Sequence, residues 1–280
     1  MQTMLLGMCE HIGVVLDGAT LALVKQSPRT TVFMFHSVSE PDGAGSDTPF
    51  HRPAVFERFL EWLAGHSVVK ASVGADSGCV PNHQHRNCTA VLTFDDGFVD
   101  HYTTVFPLLQ KHRMTGTFFL PTDLMGRTGG VTRSMVREMS DGGMIIGSHS
   151  ASHCVLSQCG PAVLHRELND SKAYLEDLTG RVCETLAYPY GHYNELVKDM
   201  ALRAGYKQAF AATPSASMSD RFAMPRIGIP DTLQTWKYAA ALYDAGRWRR
   251  FVGRNGMLDR FVHGTLGYNS ARLHWPPVHR

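Results

Sequence analysis

The residues best suited to chemistry lie in two short clusters. An apolar run, Thr89 to Phe94, leads straight into two adjacent carboxylates, Asp95 and Asp96, followed by Gly97. Two acids side by side repel and are costly to take out of water unless something compensates. A solvated Asx-type turn would give the same pattern, so the pair needs company to mean more. The second cluster is His149 and His153, just after the apolar run Met144 to Gly147. Their i, i+4 spacing puts two imidazoles on one face of a helical turn, an arrangement that can hold a divalent metal. One carboxylate and two imidazoles make the facial set of an open metal site, with a position left for water.

Residues so far apart in the chain need a scaffold that gathers them. The 280 residues are 44% hydrophobic and 19% charged, which suits one large domain with a full core. Short β-rich runs alternate with helical patterns, which predicts an α/β domain with a mainly parallel sheet. Thr30–His36, Thr89–Phe94, Thr115–Leu120, Met144–Gly147, Thr185–Tyr188, Lys207–Ala212 and Ala223–Ile229 read as strands. Pro53–His66, His101–His112, Met135–Ser140, Pro161–Leu178, Asn194–Ala204 and Leu233–Ala245 read as helices. In the clearest of these, Leu164, Leu168, Leu175 and Leu178 share one face and Gly180 stands where a C-cap glycine belongs. The polar clusters fall at the C-terminal ends of strands, and in a parallel barrel those ends form the face that carries the active site. His36, Asp95, Asp96, His149, His153 and Tyr190 are therefore expected to converge.

Other features narrow the field. A formal charge of +2 with only short basic runs, Lys111–Arg113 and Arg247–Arg250, offers no nucleic-acid footprint. Met1–Lys25 is mildly apolar but has no early Lys or Arg and is interrupted by Glu10 and Asp17. It supports neither a secretion signal nor a membrane span, and the expected location is cytoplasmic. The six cysteines are irregularly spaced, and most read as reduced thiols rather than a disulfide framework. Residues 42–47 and 72–87 read as loops. Cys79, His83, His85 and Cys88 faintly suggest zinc, but a surface loop with incidental His and Cys is the preferred reading.

Thr93-Phe94-Asp95-Asp96-Gly97 and His149-Ser150-Ala151-Ser152-His153 resemble the first two motifs of the polysaccharide deacetylases, the NodB-homology or carbohydrate esterase family 4 enzymes. Leu186-Ala187-Tyr188-Pro189-Tyr190-Gly191 resembles the third, and the likeness runs in order over residues 30–230. It implies a single-domain, distorted (β/α) barrel of the NodB-homology type. The expected layout is an extension at 1–29, a catalytic domain at 30–250 and a tail at 251–280. It also implies a metal-dependent hydrolase that removes acetyl from an N-acetylated amino sugar, as polysaccharide, oligosaccharide or glycan precursor. Carried over residue by residue, Asp95 is the base and Asp96, His149 and His153 hold the metal. The Tyr190 N–H faces the oxyanion, and Pro189 and Tyr190 contact substrate. Coordination would keep Asp96 ionised and relieve its repulsion with Asp95. Zn2+ is the expected ion; Co2+, Ni2+ and Fe2+ suit the same donors.

Two positions depart from the family pattern. Ala187 stands where the third motif usually has the Arg that orients the base, and Arg226 is the candidate replacement. No late Leu-x-x-His supplies a general acid, since His263 and His274 lie in a tail without strand pattern. His36, at the end of the first strand, resembles the acid of the circularly permuted branch that includes the poly-N-acetylglucosamine deacetylases. Two other functions stay open: a small-molecule amidase or cyclic-imide hydrolase on the same fold, and a non-catalytic carbohydrate-binding homologue. The sugar, its linkage and the oligomeric state are not legible.

Overall fold

A computed structural model describes residues 29–40, 50–66, 68–70, 88–212 and 216–228. The loops at 42–47 and 72–87 with Cys79, His83 and His85, the helix expected at Leu233–Ala245, the basic run Arg247–Arg250 and the 251–280 tail lie outside the described residues, as does nearly all of the 1–29 extension.

The strands are β1 (Arg29–Phe35), β2 (Ser37–Val38), β3 (Phe50–His51), β4 (Val68–Lys70), β5 (Cys88–Phe94), β6 (Thr117–Leu120), β7 (Ile145–Ser148), β8 (Thr185–Ala187), β9 (Gln208–Ala211), β10 (Met224–Pro225) and β11 (Ile227–Gly228). The helices are α1 (Pro53–His66), α2 (Phe106–Lys111), α3 (Arg133–Asp141), α4 (Pro161–His165), α5 (Ser171–Thr179) and α6 (Glu195–Arg203). A π-helical turn at His101–Val105 leads into α2, and another at Arg166–Asp170 joins α4 to α5. The expected helices at 101–112 and 161–178 are thus present, each with a widened turn.

The main sheet runs β10-β9-β8-β7-β6-β5-β1-β11, with β4 alongside β5. Every pairing in it is parallel. Closure comes from one short segment. Met224 and Pro225 pair with Phe210 and Ala211 of β9, while Ile227 and Gly228 pair with Phe33 and Met34 of β1. The run expected as a single strand, Ala223–Ile229, is therefore split at Arg226 and bridges the last long strand to the first. The result is a distorted (β/α) barrel.

Strand alternation decides what the barrel holds. Val32, Val91, Phe119, Ala187, Phe210 and Met224 come from six different strands and form one buried cluster, which can only be the barrel interior. Their neighbours in sequence, such as Phe33, Leu92, Phe118, Leu120 and Leu186, face outward. There they join Phe56, Phe59, Leu60 and Leu63 of α1 and Leu164, Leu168 and Leu175 of the α4–α5 helix. An even number of residues on from the interior positions reaches the barrel mouth on the same face. Four residues beyond Val32 and Val91 lie His36 and Asp95, and two beyond Gly147 and Met224 lie His149 and Arg226. The β1–β5 register pairs Phe35 with Phe94, so His36 and Asp95 follow side by side.

Strand β7 contributes no side chain to the interior at Gly147. A Cβ there would come within 2.6 Å of the Phe119 ring and 2.7 Å of Thr185 Oγ1. Gly147→Ala is expected to destabilise the fold by about 1–3 kcal/mol through overpacking. Denaturant unfolding checks this, and an unchanged midpoint would show that the interior relaxes freely.

Candidate active site

Asp96, His149 and His153 offer three ligand atoms that all lie within 4.8 Å of one another. Asp96 Oδ1 is 3.4 Å from His149 Nε2 and 3.2 Å from His153 Nε2. Two donors at about 2.0–2.1 Å from one tetrahedral ion are about 3.3 Å apart, so the spacing fits a shared divalent cation. The donor chemistry fits as well. His149 Nδ1 donates to the Ala187 carbonyl at 2.8 Å, which leaves Nε2, on the Asp96 side, as the nitrogen available to a metal.

The two histidines do not share a helical turn, contrary to what their spacing suggested. Residues 149–153 form a loop in which Ser150 (φ 65°) and His153 (φ 61°) are left-handed. Ser150 Oγ accepts the His153 N–H at 3.0 Å, and this turn brings the imidazole centroids to 4.8 Å. Asp96 (φ 76°) and Tyr190 (φ 59°) are left-handed too. Four of the five such non-glycine residues among those described therefore sit in this one site, with Arg113 as the exception. Each costs about 1–3 kcal/mol and persists only where the surroundings enforce it.

Asp95 lies beside this cluster, its Oδ2 3.9 Å from His149 Nε2. Arg226 grips it with two parallel bonds, Nη1 to Oδ1 at 2.6 Å and Nη2 to Oδ2 at 2.7 Å. Both side chains are at most 2% exposed. The guanidinium also lies over the Phe119 ring, 5.6 Å from its centroid. Burial opposes ionisation of Asp95, but the Arg226 and His149 charges outweigh it and hold the carboxyl below its usual range. Burial likewise opposes ionisation of Asp96, and the hydrogen bonds with His149 and His153 hold it well below. For His149, burial is outweighed by Asp95 and Asp96, and its value is raised. Ala187 gives this network only its carbonyl; the cation comes from the segment that closes the barrel.

His36 follows β1 within the field of Asp96, Asp95, Arg226 and His149. Burial lowers its pKa, against the two carboxylates that favour the cation. Its backbone is clamped from the segment after Asp96. His101 Nε2 donates to the His36 carbonyl at 2.7 Å, and Asp100 accepts from Ser37 Oγ at 2.6 Å and from Val38 N at 3.2 Å. Pro189 and Tyr190 form the tight turn after β8. Gly191 is required there, at φ 71°, because a Cβ would lie 2.6 Å from the Ala212 nitrogen. The Tyr190 ring is 4.8 Å from that of His153, and burial pushes its hydroxyl up to about 12. All eight candidates from the sequence thus gather at one end of the barrel.

One residue of this neighbourhood was missed. Glu167, on the π turn between α4 and α5, is completely buried. Its Oε2 accepts from the Ala151 and Ser152 N–H groups at 2.9 and 2.8 Å, and its Oε1 accepts from Ser152 Oγ at 2.8 Å. The signal was present, since Glu167 stands three residues after Leu164 and one before Leu168, on the apolar stripe of the helix.

No helix among the described residues is long and apolar enough to cross a membrane. A sequence model of the polysaccharide deacetylase family matches residues 82–209. YxkH of Bacillus subtilis, itself named only provisionally as a polysaccharide deacetylase, is 27% identical over 216 residues, covering 76% of this chain and 76% of that protein. The peptidoglycan-N-acetylmuramic acid deacetylase PdaA of Bacillus subtilis is 35% identical over 127 residues, covering 44% of this chain and 46% of that protein. Among solved structures, the Streptococcus pyogenes deacetylase PplD, in complex with acetate, superposes with a TM-score of 0.68 at 25% identity, covering 77% of this chain and 99% of that one. The motifs, the barrel and these relatives agree with the match of residues 82–209 to a polysaccharide deacetylase domain.

Proposed function

We propose that this protein is a metal-dependent N-deacetylase that hydrolyses the acetamide of an N-acetylated amino sugar to the free amine and acetate. The observation that carries the proposal is the buried Arg226–Asp95 pair set directly beside three converging metal donors. Asp96, His149 and His153 would hold the ion, for which Zn2+ is the best match to two imidazoles and one carboxylate. A divalent ion held there would supply Lewis acidity, polarising the acyl carbonyl and lowering the pKa of water toward about 7. Asp95 is kept ionised by Arg226 and takes the proton of the attacking water. The Tyr190 backbone N–H, presented by its left-handed turn, donates to the oxygen on which negative charge develops. His36, beside Asp95 where β1 and β5 end, hands a proton to the departing nitrogen.

The test combines metal analysis of the purified protein with acetate release from a panel of N-acetylated sugars. Opening of cyclic-imide rings is assayed in parallel. The expected result is stoichiometric metal and acetate release that a chelator abolishes and Zn2+ restores. Imide opening without acetate release would replace this reading with the small-molecule hydrolase. Bound metal without either activity would favour a carbohydrate-binding homologue.

His36→Ala is expected to lower kcat by about 10²–10⁴-fold, the range of a lost general acid, while metal content stays at the wild-type level. Near-normal turnover in that variant would remove His36 from the mechanism.

A further inference from the structure

We infer that Glu167 is a positioning residue whose carboxylate holds the His149–His153 loop in its metal-binding shape and so sets the affinity of the site. The inference rests on the metal reading above and extends it to a residue outside the three motifs. The loop has no regular structure and contains two left-handed non-glycine residues, so nothing in its own backbone preference keeps His153 facing Asp96. Apart from the internal His153 N–H to Ser150 Oγ bond, its shape is imposed from outside. Thr122 and Asp123 donate their N–H groups to the Ser150 and Ala151 carbonyls at 3.3 and 2.9 Å. Ser148 Oγ accepts the Ser150 N–H at 3.1 Å and touches Ser171 Oγ at 2.8 Å, one turn beyond Glu167. The remaining two N–H groups at the loop apex, those of Ala151 and Ser152, both go to Glu167 Oε2.

A fully buried carboxylate is expensive unless it is paired and hydrogen-bonded. Glu167 has both kinds of partner, since Arg166 Nη2 contacts Oε1 at 2.6 Å while the loop fills the rest of its acceptor capacity. Charge-assisted bonds of this kind are stronger and more directional than neutral ones. The helix is widened into a π turn at this point, and π turns recur at functional sites. The carboxylate thus acts on the metal through two backbone amides rather than by touching it.

The experiment measures Zn2+ affinity by competition with a chromophoric chelator on the full chain, with unfolding of the metal-free protein as the control for fold. Glu167→Met keeps the bulk and removes every acceptor. It is expected to weaken Zn2+ binding by about 10–100-fold, the usual cost of losing an outer-shell partner, at unchanged stoichiometry. Glu167→Gln keeps one carbonyl oxygen for the two amides and is expected to fall between Met and wild type. A folded Met variant with wild-type affinity overturns the inference. If the Met variant does not fold, wild-type affinity in the Gln variant overturns it instead. Should the wild-type protein bind no Zn2+, the metal reading falls and this inference with it, an outcome distinct from tight wild-type binding with indifferent variants.

Discussion

Arg226→Met is expected to remove stability and turnover together. The side chain makes two hydrogen bonds to Asp95 in a region where both groups are at most 2% exposed. Deleting one partner leaves a buried carboxylate without its cation, which costs about 3–5 kcal/mol. Against a total stability of about 5–15 kcal/mol, that is a large fraction. Turnover should fall for a separate reason, because Asp95 loses both its orientation and the charge that keeps it ionised. A double-variant cycle separates the two effects. Asp95→Asn with Arg226→Met leaves no unpaired charge, so denaturant unfolding should recover much of the stability lost in Arg226→Met alone. Acetate release should not recover. Arg226→Lys should fall short of wild type, since an ammonium cannot reproduce the two-point grip. Wild-type stability and turnover in Arg226→Met would mean that Asp95 is held by something else.

His149→Ala should act on the metal rather than on the base. His149 is fixed from both sides, by Ala187 through Nδ1 and by Asp96 near Nε2. Its removal takes away one of three donors and opens the remaining pair. Metal content is expected to drop to a trace of the wild-type level, and acetate release to background even with added Zn2+ at concentrations that saturate the wild type. Full metal occupancy with full turnover would remove His149 from the ligand set. The contrast with Arg226→Met is diagnostic. One variant should lose metal, while the other should keep it and lose the base.

Much of this arrangement was legible before any coordinates. The strand ends at Phe94 and near Gly147 were visible because apolar runs stop abruptly at charged or imidazole side chains. The parallel barrel then follows from the alternation of strands and helices, and period-two alternation places Asp95 and His149 at its mouth. Arg226 could be named because the usual cation was replaced by Ala187, but its grip on Asp95 depends on barrel closure, which no local pattern encodes. The loop at 149–153 was misjudged for a physical reason. An i, i+4 pair suits a helix, yet Ser150 Oγ offers the His153 N–H a partner that a helix would not, and the chain turns left-handed instead. Short serine side chains compete with helical bonding in just this way. The split at Arg226 in the last strand, and the π turns, came from tertiary demands rather than local propensity. Glu167 escaped notice because its partners lie 15 and 16 residues away in sequence.

The segment Met224–Gly228 carries a consequence for how competence is acquired. Synthesis proceeds from the N-terminus, so a growing chain contains His36, Asp95, Asp96, His149, His153 and Tyr190 well before Arg226. Until Met224–Gly228 docks between β9 and β1, Asp95 lacks its guanidinium partner and the sheet has an open edge. Closing the described barrel and giving the proposed base its guanidinium are therefore a single event, and a chain cut short before Arg226 would hold the three proposed metal donors and still lack the Arg226–Asp95 pair.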